Sequence, residues 1–306
     1  MITRSILLQM AASRKMEHFS SHNRLAKGFA MRFIASEKME DVTLPVRRLN
    51  SKGLSVSLDY LGEGVTTEEE SEEVVQTYLK LFKLIKQENL DSNVSVKLTA
   101  LGLELSESIA ERNLRRLLDA AGPDQFVRID MEGSALTDST LNCFYQLWNG
   151  ANAYRNVGVV IQSYLHRSAD DIEKLIKVGA RVRLCKGAYK EGPDVAFQHK
   201  SEVDSSFVSL MKRLLKDGNY PGIATHDMAM VNATQEFATQ NSIGNDKYEF
   251  QMLYGVRREL QLELARKGYR IRIYTPFGDH WYPYTMRRLA ERPANLRFAL
   301  ASILRG

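Results

Sequence analysis

Apolar and polar residues alternate in eight short stretches of the chain, and between those stretches apolar residues recur at the three- and four-residue spacing of an amphipathic helix. The alternating stretches are residues 55–62 (SVSLDYLG), 94–102 (VSVKLTALG), 126–133 (FVRIDMEG), 157–164 (VGVVIQSY), 181–189 (RVRLCKGAY), 222–227 (GIATHD), 248–255 (YEFQMLYG) and 270–278 (RIRIYTPFG). The helical patterns between them, such as TTEEESEEVVQTYLKLFKLIKQ, SESIAERNLRRLLDAAG and SADDIEKLIKVG, open on Ser or Thr with an acid in the first turn, and several close on Gly. Strict alternation of strand and helix implies parallel strands. Eight such units in a stretch of roughly 250 residues predict an α/β fold, a (β/α)8 TIM-type barrel rather than an open doubly wound sheet. The barrel is expected over residues 46–306, preceded by an N-terminal arm over residues 1–45 that reads as helical from about residue 6 to residue 35.

The same alternation assigns a polar lining to the barrel. Parallel strands buried on both faces are usually apolar throughout, whereas these strands interleave charged residues with branched ones. With the branched residues facing the helices, the inward set comprises Ser57, Asp59, Lys97, Arg128, Asp130, Gln162, Arg183, Gln251 and Tyr274. An ordinary barrel fills that space with Val, Ile and Leu, so this lining points to a large polar ligand near the carboxyl ends of the strands. A set of charges that merely neutralise one another is the alternative.

The stretch of residues 270–291 carries chemistry at both ends. Its strand ends in a polar edge on Tyr274, and in the helix that follows, Tyr284, Arg287, Arg288 and Glu291 share one face. Two guanidiniums pointing the same way suit a carboxylate or phosphate; a solvated helix face with a Glu–Arg pair is the plainer reading.

Composition narrows the classes. The 306 residues include only two cysteines, Cys143 and Cys185, which give no disulfide framework and suit a reducing cytoplasm. No apolar run reaches the length of a membrane span, and the SILLQMAAS segment is too short and interrupted for a signal peptide, so a cytoplasmic protein is expected. Residues 1–50 hold nine Lys or Arg against four acidic residues, an excess equal to the net charge of +5 of the whole chain. Such an arm could rest on an anionic membrane surface or on nucleic acid, or simply pack on the barrel. The barrel region has no interleaved basic and aromatic patch, so nucleic acid is not an expected partner. Neither G-x-G-x-x-G nor G-x-x-x-x-G-K-[ST] occurs, which removes the usual dinucleotide and P-loop signatures. His18 and His22 lie one helical turn apart without an acidic or cysteine partner, and no metal is expected. His226 and His280 each follow a strand, where either could donate to a ligand. Lys97 and Lys186 sit in or just after strands, which leaves open an aldolase with a Schiff-base lysine, while a basic-armed binding protein on a degenerate barrel is the non-enzymatic alternative.

The segments VSVKLTALG, FVRIDMEG, QSYL, RLCKGAYKE, ATHD, EFQMLYG and IYTPFGDHWYPYTMRRLAER, in that order over about residues 50–300, resemble the proline dehydrogenase family, in its small monofunctional bacterial form. The resemblance implies a distorted (β/α)8 barrel holding FAD, oxidation of L-proline to Δ1-pyrroline-5-carboxylate, and electron transfer to a membrane quinone. It also implies that Arg183 lies beside flavin N5 and that Asp130 fixes the geometry near Tyr189. Met131, Gln162, Lys186, Gly187, Ala188, Thr225 and His226, with Arg183, would contact FAD. Lys97, Leu253, Tyr274, Tyr284, Arg287 and Arg288 would hold proline. Glu63 and Tyr189 would belong to a gate, Glu63 by pairing with one of the arginines. Cys185 stands where the family suggests valine, and Asp227 where bifunctional relatives carry asparagine. Without the further domains of those relatives the chain is expected to release its product, and a quinone acceptor implies peripheral association with a membrane through the arm.

Overall fold

The computed structural model describes residue 28 and residues 31–62, 64–150 and 153–291, apart from the side chains at 287 and 289–291. Eight strands are present: β1 (Ser55–Tyr60), β2 (Ser92–Val96), β3 (Val127–Ile129), β4 (Val157–Gln162), β5 (Arg181–Cys185), β6 (Gly222–Ala224), β7 (Glu249–Leu253) and β8 (Ile271–Phe277). All neighbours pair in parallel in chain order, and β8 returns to β1 to close the barrel, with Ser57 opposite Asn93 on one side and Tyr274 on the other. Each strand lies within or close to the stretch where alternation put it. Most end earlier, because the chain leaves the hydrogen-bonded ladder at the carboxyl rim while its polar alternation continues: β3 has three residues, and residues 98–105 after β2 form turns.

One face of every strand builds the core. Val56, Leu58, Val94, Val96, Val127, Ile129, Val157, Val159, Val182, Leu184, Ile223, Phe250, Met252, Ile271 and Ile273 are all buried in a single cluster with the surrounding helices. Burial of each such side chain is worth about 1.5–3 kcal/mol. The side chains between them point inward, which is the parity the sequence pattern assigns to the polar set.

The helices are α1 (Thr43–Asn50), α2 (Glu68–Gln87), α3 (Glu107–Ala121), α4 (Thr137–Asn149), α5 (Ser168–Lys177), α6 (Lys200–Asp217), α7 (Met228–Gln240), α8 (Arg258–Arg266) and α9 (Trp281–Glu291). Thr67 and Glu70 cap α2 reciprocally, and Ser106 caps α3 by accepting from the Ser108 N–H at 3.2 Å. Ser168 does not cap α5 as its position suggests; its hydroxyl donates instead to the Gln162 carbonyl at 2.6 Å, tying the helix to the end of β4.

The barrel is distorted in how its ring of helices closes. α1 precedes β1 yet contributes Val46 to the main core, and Arg47 donates to Glu88 just after α2 at 2.6 Å. Buried residues of α9, Trp281, Tyr282, Tyr284 and Met286, lie outside that core cluster. The helix before the first strand therefore packs as a barrel helix, and the helix after the last strand buries its side chains apart from that core. α1 also crosses the 45/46 boundary drawn from the sequence.

The expected arm helix is corrected at its described end. Residues 31–33 form a turn and residues 34–36 have no helical structure; the Ala35 N–H donates to the Pro276 carbonyl at 2.8 Å and the Gly278 N–H to the Ser36 carbonyl at 3.0 Å. The backbone here docks on the end of β8, and that long-range pairing outweighs local helix propensity. Residue 28 is helical as expected, while residues 1–27, 29 and 30, with most of the expected arm helix and the pair His18 and His22, lie outside the described residues.

Candidate active site

At the centre of the barrel is Arg183 on β5, 6% exposed. Each of its guanidinium nitrogens has a partner: Nε donates to Gln251 Oε1, Nη1 to Asp130 Oδ1 at 2.6 Å and Nη2 to Ser95 Oγ at 3.0 Å. The second oxygen of Asp130 accepts from the Tyr274 hydroxyl at 2.7 Å, and the guanidinium carbon of Arg183 lies 5.3 Å from the Tyr274 ring centre. Ser95 on β2, Asp130 just after β3, Arg183 on β5, Gln251 on β7 and Tyr274 on β8 thus form one hydrogen-bonded unit of five inward residues. Burial, with the carboxylates of Asp130 and Asp59, pushes the Tyr274 phenol well above its ordinary pKa, so it remains a proton donor to Asp130. Asp130 joins Arg183 and Tyr274 through its two carboxylate oxygens; Tyr189 sits exposed on the loop after β5, near Tyr164.

A second unit lies across β1 and β2, where Lys97 Nζ is 3.2 and 3.0 Å from the two oxygens of Asp59. Burial raises the Asp59 pKa and the Lys97 charge opposes it. The Ser57 and Ser95 hydroxyls, 2.9 Å apart, join this unit to Arg183.

At the ends of β4, β5 and β6 the predicted residues again converge. Gln162 is 3% exposed, and its Oε1 has no hydrogen-bond partner among the described residues. Gly187 has φ +110°, and a Cβ there would lie 2.3 Å from the Tyr164 ring. Lys186 bridges Asp204 at 2.5 Å and Asp227 at 2.8 Å, and Lys200 also reaches both aspartates. The Lys186 hydrogen bond holds Asp227 at a pKa of about 2. Asp227 also caps α7 through the Ala229 N–H. Thr225 is buried, its hydroxyl accepting from the Asp227 N–H at 3.0 Å, and His226 Nε2 accepts from the Leu253 N–H at 2.9 Å, which leaves the proton of a neutral ring on Nδ1. Ala188 is exposed, whereas Met131 points the other way, into the core cluster.

On α9, Tyr284 is buried beneath Arg288, whose guanidinium carbon lies 5.3 Å from the ring centre, and Leu253 is half-buried at the end of β7. The side chain of Arg287, and Glu63, lie outside the described residues. His280 is mostly exposed beside Asp279. Both lysines considered for a Schiff base are engaged in ion pairs, Lys97 with Asp59 and Lys186 with Asp204 and Asp227.

Sequence reasoning passed over Glu249 and Arg272. Glu249 Oε1 accepts from Arg272 Nε at 2.8 Å and from Gln251 Nε2 at 2.6 Å, which places both residues beneath the Arg183 unit. Their parity, two positions before Gln251 and Tyr274, was the available signal. Asp59, read as lining, is likewise the anchor of Lys97.

A family model described as proline dehydrogenase matches residues 43–300. The chain is 41% identical over 303 residues to proline dehydrogenase 1 of Bacillus subtilis subsp. natto, covering 99% of each chain. It is 38% identical over 281 residues to the proline dehydrogenase of Deinococcus radiodurans, covering 90% of each. Among solved structures, proline utilization A from Bdellovibrio bacteriovorus inactivated by N-propargylglycine superposes with a TM-score of 0.81 at 25% identity; the match covers 93% of this chain and 38% of that larger one.

Proposed function

The chain belongs to the proline dehydrogenase family, and from that premise we propose that it oxidises L-proline to Δ1-pyrroline-5-carboxylate with FAD at the carboxyl end of the barrel. The observation that carries the reading is Arg183, a desolvated guanidinium pinned at three nitrogens in the middle of a polar barrel.

The residues present suit a flavin. Gln162 offers a buried oxygen with no donor among the described residues, Gly187 leaves the chain free to pass close to Tyr164 where a side chain would collide, and Arg183 supplies a fixed positive charge. Arg183, Gln162, Lys186, Gly187, Ala188, Thr225 and His226 would hold the cofactor, with Met131 contributing through its backbone at most, since its side chain faces the core. FAD bound there would accept the hydride that leaves proline's C5.

The chain's own residues then bind and orient the substrate. Arg288, with Arg287, would grip the carboxylate, since a guanidinium fork matches its two oxygens. Lys97, ion-paired with Asp59 at the end of β2, would add a third cation. Leu253, Tyr274 and Tyr284 would enclose the apolar ring and exclude water. Hydride can leave C5 only as the unprotonated ring nitrogen forms the C=N bond, so positioning of the bound ring supplies much of the rate. Arg183 would stabilise negative charge arriving on its neighbour. Glu63 and Tyr189 would close the site.

Purified protein should be yellow, and L-proline should bleach it without oxygen. A colourless protein, or a yellow one that L-proline leaves oxidised, would overturn the proposal.

We extend the proposal to the electron acceptor, a quinone dissolved in a bilayer, reached by peripheral association through the basic N-terminal residues. Among the described residues no helix is long and apolar enough to cross a membrane. Each basic residue near an anionic surface contributes about 1 kcal/mol. Co-sedimentation with anionic vesicles should therefore fall as salt rises and vanish when residues 1–35 are deleted; equal sedimentation with neutral vesicles would sink the idea.

A further inference from the structure

Glu249 lies two residues before Gln251 on the inward face of β7 and is almost fully buried. Its Oε1 accepts from Gln251 Nε2 at 2.6 Å and Arg272 Nε at 2.8 Å, and its Oε2 from the Tyr220 hydroxyl at 3.2 Å. Arg272 is itself fixed, donating through Nη1 to the Val56 carbonyl at 2.8 Å. On the other end of the Gln251 amide, Oε1 accepts from Arg183 Nε.

A glutamine amide has two ends of nearly equal shape and opposite hydrogen-bonding sense, so its neighbours decide which end faces which. Arg183 Nε–H can only donate. If the amide were turned over, its NH2 would face that N–H and the guanidinium would lose the contact. An ionised carboxylate can only accept, and so forces the Gln251 NH2 toward itself. Burial alone would raise the Glu249 pKa, but the charge and hydrogen bond of Arg272, with Gln251 and Arg128, hold it below the ordinary range. Space fixes where the amide lies, though not its direction: a Cβ at Gly222 would lie 2.5 Å from Gln251 Nε2, so the amide occupies room that β6 leaves by having no side chain there.

We propose that Glu249 is a positioning residue for the oxidation of proline: by fixing the direction of the Gln251 amide, it aims the Arg183 guanidinium at the reacting centre. The inference rests on the role given to Arg183 above. A merely structural role, as counter-ion to the buried Arg272, is the alternative that the test must separate.

The test uses the flavin-loaded enzyme labelled with 15N-arginine, in which the Arg183 Nε–H resonance is identified by its loss in Arg183→Lys. Glu249→Gln should move that resonance, quicken its exchange with water and slow proline-driven flavin bleaching about tenfold, the scale of one hydrogen bond to a charged group, with KM for proline little changed. Glu249→Asp, which keeps the charge but withdraws the carboxylate by one methylene, should move the same resonance. The double variant Glu249→Gln/Gln251→Glu returns an acceptor-only group to Arg183 and should recover both resonance and rate. An unmoved resonance in Glu249→Gln and Glu249→Asp overturns the proposal, as does a double variant no better than the single one. Should Glu249→Gln fail to fold, Glu249→Asp decides alone. If Arg183→Lys itself bleaches normally, the role of Arg183 fails, while the resonance still reports whether Glu249 sets its direction.

Discussion

Lys97 reaches both carboxylate oxygens of Asp59, at 3.2 and 3.0 Å, across the pairing of β1 with β2. Asp59 is fully buried and Lys97 half-buried, and removal of one member leaves the other without its counter-charge. Asp59→Asn and Lys97→Met should each cost about 3 kcal/mol in chemical denaturation. The double variant should cost clearly less than the two singles together. Additive losses would mean that the pair is not coupled.

Arg288→Met should raise KM for proline by about tenfold or more while leaving flavin content unchanged, because a hydrogen bond between charged groups is worth about 1.5–3 kcal/mol. Arg287→Met should act in the same direction. A normal KM in either variant would remove that arginine from the carboxylate site.

The inward set was legible because a strand's period of two leaves no freedom once its apolar face is assigned: Asp130, Arg183 and Tyr274 fell on the polar parity of separate strands and meet in one hydrogen-bonded unit. Their partners were harder to read. Glu249 and Arg272 share that parity, but nothing local says that they sit directly beneath Gln251; the barrel's stagger does. Alternation also overran the strands, since residues such as those at 98–102 keep the pattern after the ladder has ended. Least legible was the docking of residues 34–36 beside Pro276, a contact across some 240 positions that helical periodicity cannot report.

The two cysteines should differ sharply toward a thiol reagent. Burial pushes the Cys143 thiol up to about 12, whereas Cys185 is half-exposed at the end of β5. Only thiolates react at an appreciable rate, so at pH 8 the native protein should take up one label, on Cys185, and a second only on unfolding. Labelling of Cys143 in the native state at the rate of Cys185 would contradict this packing.

Asp227 links stability to pH. Its pKa is depressed to about 2, first by the Lys186 hydrogen bond, against roughly 3.9 in an unfolded chain. A depressed carboxylate stabilises the fold above its unfolded pKa, and the contribution disappears as pH falls through its folded one. The stability difference between the protein and Asp227→Asn should therefore be constant from pH 7 to pH 5 and shrink between about pH 4 and pH 2. Denaturant midpoints at each pH measure it, and a gap that widens on acidification would reverse the sign.

Gly187→Ala tests the turn after β5. The residue has φ +110°, and an added Cβ would stand 2.3 Å from the Tyr164 ring, which is itself packed against Leu165 and Ala196. The ring cannot yield easily, so the backbone of residues 186–188 must move, and with it the residues proposed to hold the flavin. Gly179→Ala is the control: its φ is also positive, at +73°, but nothing lies within 4 Å of the added carbon. Backbone strain alone, on the order of 1–2 kcal/mol, should lower the stability of both variants. Loss of bound flavin, by tenfold or more in affinity, should appear only in Gly187→Ala, because only there does the collision displace the loop. Full flavin content in that variant, with a normal circular dichroism spectrum, would show that the cofactor does not depend on the close passage of Gly187 over Tyr164.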